Sequence, residues 1–145
     1  MSSNENPVRI LDEQECWERL ASQQIGRLVT RVGDVVDIVP INFVADGRSI
    51  VFRTAAGDKL AELTINPAVV FEVDSYDATS GWSVVLHGHA KALEKEADVA
   101  AAEALPLRPF VPTLKPTFVR VNVDSLSGRT FQFGEETRRE DVQNG

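Results

Sequence analysis

A single cysteine, Cys16, stands in a chain of 145 residues, so neither an internal disulfide nor a cysteine-built metal cage is available. The lone thiol reads as a small buried hydrophobe on a helix. No apolar run approaches the roughly 18 residues of a spanning helix. The opening MSSNENPVRI has neither the basic start nor the apolar stretch of a secretory signal, and the expectation is a cytoplasmic protein with no membrane partner. Basic residues are in deficit, 15 Lys and Arg against 22 Asp and Glu for a net charge of −7. Nucleic acid is therefore not expected as a partner, because neutralising phosphates along a strand needs a concentrated basic face. A small anion remains compatible, since a few local cations can hold it. No Gly-x-Gly-x-x-Gly opens a helix after a strand, which excludes a Rossmann dinucleotide site. No Ser/His/Asp set, metal cage or paired-carboxylate motif stands out either.

What is present is an ordinary globular composition, 43% hydrophobic and 26% charged, in a length that suits one domain spanning residues 1–145. Leu11, Cys16, Trp17, Leu20 and Ala21 recur at helical spacing, with Asp12 placed as N-cap and Glu15 as first-turn acid. Val- and Ile-rich stretches follow at 25–31, 35–44 and 49–54, separated by Val32-Gly33-Asp34 and Asp46-Gly47. They read as a three-stranded meander. A short helix is expected within 55–64, ending before Asn66-Pro67. Strands are expected at 68–75 and 82–93, the second long enough to turn a barrel corner at Gly88. Residues 95–105 read as a helix, and Pro106, Pro109, Pro112 and Pro116 punctuate a stiff crossing. A last hairpin is expected from 117–123 and 129–133 about Ser127-Gly128, and the charged stretch 135–145 as a frayed tail. About seven strands on short turns with two or three helices make a mainly β fold, an antiparallel barrel with helical insertions.

One segment carries chemistry. In Ile50-Val-Phe-Arg-Thr-Ala-Ala-Gly-Asp-Lys-Leu60 a strand delivers Arg53 and Thr54 into a small-residue turn, and Lys59 returns in the first turn of a helix. A guanidinium fork, a hydroxyl, an ammonium and the N–H groups of a helix start are the parts of a phosphate cradle. A plain strand-to-helix turn with solvated charges uses the same residues, and both readings stand. His87 and His89 are two apart on one strand and share a face, but no third ligand falls at a recognisable spacing, so no metal is expected.

The order of motifs around that segment resembles the flavin-binding split β-barrel family related to pyridoxamine 5′-phosphate oxidase. The resemblance runs from about residue 26 to 93 and rests on Gly26-Arg-Leu-Val, Asp37-Ile-Val-Pro-Ile-Asn-Phe-Val, Phe52-Arg-Thr-Ala-Ala-Gly-Asp-Lys-Leu-Ala, Asn66-Pro-Ala-Val-Val-Phe-Glu-Val-Asp and Gly81-Trp-Ser-Val-Val-Leu-His-Gly-His-Ala. It implies a homodimer with cofactor sites at the interface. It also implies that Lys59 matches the recurrent phosphate-binding lysine, with Arg53 and Thr54 beside it, and that Pro40, Ile41 and Asn42 flank the isoalloxazine ring. Trp82 and Ser83 would approach the partner subunit's cofactor, although a tryptophan after glycine is also a common core or interface residue. FMN is the implied cofactor, with a deazaflavin coenzyme as the alternative and haem as a minor branch. The Arg/His arrangement with which the oxidase holds pyridoxamine phosphate has no counterpart in the C-terminal residues. The expected activity is therefore that of an oxidoreductase on some other small organic substrate. A non-catalytic carrier or sensor of flavin is the second reading, and a dimeric structural protein with a degenerate pocket the third. In a flavoprotein the cofactor carries the redox chemistry, so the missing catalytic motifs are no obstacle.

Overall fold

The computed structural model describes residues 6–55, 57–111 and 114–135; the expected tail, apart from Glu135, lies outside them. Eight strands and three helices follow one another as β1 (Val8–Ile10), α1 (Glu13–Ala21), β2 (Ile25–Val32), β3 (Val35–Asn42), β4 (Val44–Asp46), β5 (Ser49–Thr54), α2 (Asp58–Ile65), β6 (Ala68–Tyr76), β7 (Ser80–Ala92), α3 (Glu96–Glu103) and β8 (Thr117–Gln132). The strands form one antiparallel sheet in the order β3-β2-β6-β7-β8-β5-β4, with β1 added on β8. It curls until β3 comes beside β5. The result is a mainly β, split antiparallel barrel, as the motif order implied.

Alternation fills its interior. Leu28, Phe52, Phe71, Leu86 and Val121 face inward and are all but inaccessible, as period-two patterning requires. Helix α1 contributes Cys16 and Leu20 to that core, and its start is closed at the expected N-cap, where Asp12 and the first-turn Glu15 form a reciprocal capping box. A smaller cluster of Val51, Phe118 and Ala102 lies on the other face of β5 and β8, beneath α3. Among the described residues no helix is long and apolar enough to cross a membrane.

Three expectations need correction. The strands expected over 25–54 do not make one continuous meander: the chain breaks at Phe43, which is 3% exposed and packs edge-on against Phe71 at 4.8 Å, so only the short β4 turns back at Asp46-Gly47 to pair with β5, whose other neighbour is β8 and not β3. The last hairpin is absent, because Thr117–Gln132 runs as one strand. Gly128 is there for close packing, not for a turn, since a Cβ on it would lie 2.8 Å from Cys16 Sγ. The short strand β1 was not anticipated; its three residues are too few to show alternation and acquire it only by pairing with β8. Gly88 does mark an irregularity, as expected: the register of β7 on β8 shifts between His87 and Gly88.

Candidate functional site

The split of the barrel opens into a cavity of about 550 Å³ between the end of β3, the end of β5, the start of α2 and the proline-punctuated crossing, within the range of small-molecule sites. Six of the eight residues singled out from the sequence line it: Pro40, Ile41, Asn42, Arg53, Thr54 and Lys59. Strand β5 ends at Thr54, and α2 starts after Gly57, whose φ of 146° is a conformation only glycine adopts readily. That turn is how Lys59 returns beside the strand that carries Arg53. Among the described residues no side chain caps the start of α2, so its first N–H groups keep their capacity to donate.

Arg53 is held by its backbone neighbours. Its Nε donates to the Lys115 carbonyl at 2.9 Å, and its guanidinium carbon lies 4.9 Å from the centre of the Phe118 ring, which leaves the two terminal nitrogens for a ligand. Thr54 Oγ1 donates to the Ala55 carbonyl at 3.2 Å. Lys59 is differently placed: its Nζ donates to Glu62 Oε2 at 2.9 Å and to Thr30 Oγ1 at 3.2 Å, while the Thr30 hydroxyl donates to Glu62 Oε2 at 2.9 Å. The Lys59 ammonium, followed by the Thr30 hydroxyl, holds the Glu62 carboxyl below its ordinary range. Asn42 ties the roof to the wall, accepting from the Phe110 N–H at 2.9 Å.

Two features were not legible beforehand. Lys115, from the proline-punctuated crossing, adds a third cation to the walls, and Leu107 and Phe110 add apolar surface facing Val39 and Ile41. They lie more than 50 residues from Arg53 in sequence, with no local pattern to link them. The consequence is a cavity whose described walls carry Arg53, Lys59 and Lys115 and no carboxylate, in a chain of net charge −7. One end suits an anion and the other a flat apolar body.

The remaining two residues are not brought to this cavity within one chain. Trp82 faces the barrel core, 9% exposed, with the Arg19 guanidinium carbon 5.7 Å from the centre of its ring; it borders a separate hollow of about 740 Å³ with Arg9, Arg19 and Phe131. Ser83, its neighbour, points to the opposite face of β7, in register with Asp74 and Arg129. His87 and His89 share that outer face, and His89 Nδ1 sits 2.5 Å from Asp124. Among the described residues no group of three or more His, Cys, Asp or Glu side chains is placed to hold a metal ion.

Comparison with known proteins agrees with this architecture. The family described as pyridoxamine 5′-phosphate oxidase matches residues 12–130. A FAD binding protein from Mycobacterium smegmatis is 44% identical, with a TM-score of 0.75 over 86% of this chain and 98% of that one. A conserved protein of unknown function from Corynebacterium diphtheriae is 43% identical, with a TM-score of 0.76 over 87% of this chain and 99% of that one. An uncharacterized protein of Mycobacterium tuberculosis is 41% identical over 96 residues, 66% of this chain and 87% of its own length.

Proposed function

Because the chain belongs to the pyridoxamine 5′-phosphate oxidase family, we propose that it binds a flavin nucleotide in the cavity of the barrel split and serves a redox reaction on a small organic substrate. The observation that carries this reading is the charge pattern: among the described residues three cations and no carboxylate line one cavity of an acidic chain, next to an apolar wall. Arg53, Thr54 and Lys59 would hold the phosphate, with the uncapped start of α2 adding N–H donors. Pro40, Ile41 and Asn42, on the strand opposite, would border the ring. FMN is the smallest flavin nucleotide with both parts. FAD shares them, and the binding of FAD by the Mycobacterium smegmatis relative brings it into the proposal on equal terms. The flavin supplies hydride or electron transfer; the chain's own part is to grip the phosphate, orient the ring and exclude water.

A homodimer belongs to the same proposal. Ile38, Val29 and Val70 lie in one row across the outer face of β3, β2 and β6. Ile38 is 62% exposed, as is its edge-strand neighbour Val36 at 61%. An apolar stripe ending on an unpaired strand edge suits a partner surface. Light scattering at twice the chain mass is the expected result.

The first experiment is the absorption spectrum of the purified protein after incubation with FMN, FAD, the deazaflavin coenzyme or haemin, each followed by desalting. Retention of FMN or FAD is expected, and retention of neither refutes the reading. Lys59→Ala is expected to weaken FMN binding by roughly 1.5–3 kcal/mol, the loss of one charge-assisted contact, with riboflavin binding and folding intact; titration of flavin fluorescence reads this. Turnover separates an oxidoreductase from a carrier: reduced flavin that stays unreactive towards every acceptor favours the carrier.

A further inference from the structure

The cation expected to meet the phosphate is not free. Lys59 and Glu62 stand one turn apart on α2, and their side chains are only 20% and 23% exposed, so the pair is less screened than one on an open surface. Thr30 makes the arrangement a closed triangle. This threonine is 2% exposed on the inner face of β2, and its hydroxyl accepts from Lys59 while donating to Glu62. Asp37 is the register partner of Thr30 on β3. The other two cations of the cavity, Arg53 and Lys115, have no carboxylate partner among the described residues. An acid has thus been placed against one cation of three.

We infer that Glu62 is a built-in competitor for the cofactor phosphate: it holds Lys59 through Thr30 in the free protein and yields it when the phosphate arrives, so that cofactor affinity is set by an exchange of partners at Lys59. This rests on the proposed flavin reading. A phosphate entering the cavity meets two uncompensated cations and must draw the third from a carboxylate of its own sign. The exchange lowers affinity below what three free cations would provide, and the flavin becomes a ligand that comes and goes.

The test is Glu62→Gln, which keeps the shape and an oxygen able to accept from Lys59 and Thr30 but removes the charge. FMN should bind roughly five-fold tighter, the size of one unit charge acting across a few ångströms in partly solvated surroundings. Riboflavin, which has no phosphate, should bind as it does to the wild type. In a Lys59→Ala background the same substitution should no longer tighten FMN binding, because the exchange needs the ammonium. Unchanged or weaker FMN binding by E62Q overturns the inference, and so does full tightening without Lys59, which would mean simple long-range repulsion. A wild-type protein that binds neither FMN nor FAD fails differently and overturns the flavin reading itself. Should E62Q lose its cooperative thermal transition, the carboxyl carbon resonance of Glu62 in the wild type decides: it should shift when FMN is added, and a resonance that stays in place overturns the exchange.

Discussion

Replacing Gly88 by alanine tests whether the long β7–β8 ladder is as tightly built as its geometry indicates. A Cβ at this position would lie 2.4 Å from the Asn122 carbonyl oxygen and 2.8 Å from Val121 Cγ1, about an ångström inside ordinary contact. Val121 is fully buried, and the oxygen belongs to the backbone of a paired strand, so neither can turn aside as a flexible side chain would. The strands must part where their register already shifts. Overpacking in a dense core costs about 1–3 kcal/mol, and a ladder hydrogen bond weakened beside it adds about 1 kcal/mol. Together they come to about 3 kcal/mol, which for a domain of this size lowers the melting temperature by roughly 6–12 °C. Thermal unfolding followed by circular dichroism reads the shift directly. Gly134→Ala is the internal control, since a Cβ there meets nothing within 4 Å, and it should melt with the wild type. A Gly88→Ala variant that melts within about 2 °C of the wild type would refute the reasoning.

Asn42→Ala releases the Phe110 N–H from its acceptor and loosens the roof of the cavity; flavin affinity should fall by about 1 kcal/mol, roughly five-fold, in a fluorescence titration. Acid should destabilise the protein partly through Asp77, whose carboxylate accepts from the backbone N–H groups of Thr79 and Ser80, both at 2.9 Å. Those bonds, with the Thr79 N–H the larger cause, depress its pKa below the ordinary 3.8. A depressed carboxylate contributes stability that is present above the unfolded value and lost as pH falls through the folded one. Asp77→Asn retains the accepting oxygen without the titration, so its melting temperature should fall less steeply than that of the wild type across that acidic window; parallel curves would refute the assignment.

Local pattern made much of the fold legible. The N-cap at Asp12, the hairpin turn at Gly33 and the irregularity at Gly88 depend on neighbouring residues or on a glycine's own geometry, and each stands where the sequence places it. The candidate site was legible but for the wall that the crossing supplies, since Pro40, Ile41 and Asn42, named from the motif order, also line it. Arg53, Thr54 and Lys59 fall within seven residues and can be seen together in the sequence, whereas Lys115, Leu107 and Phe110 reach the same cavity through a long crossing that has no periodicity.

By itself, then, the order of residues determined the class of the fold, the alternation along its strands and the grouping of Arg53, Thr54 and Lys59, because alternation, capping and turn chemistry act over a few residues. Only the tertiary structure decided that β5 joins β8, that Gly128 serves packing, and that Trp82 and Ser83 part to opposite faces of one strand. It alone placed Glu62 and Thr30 against Lys59. These depend on which surfaces meet when the sheet curls, and burial of apolar faces between distant segments, not any local preference, selects that arrangement.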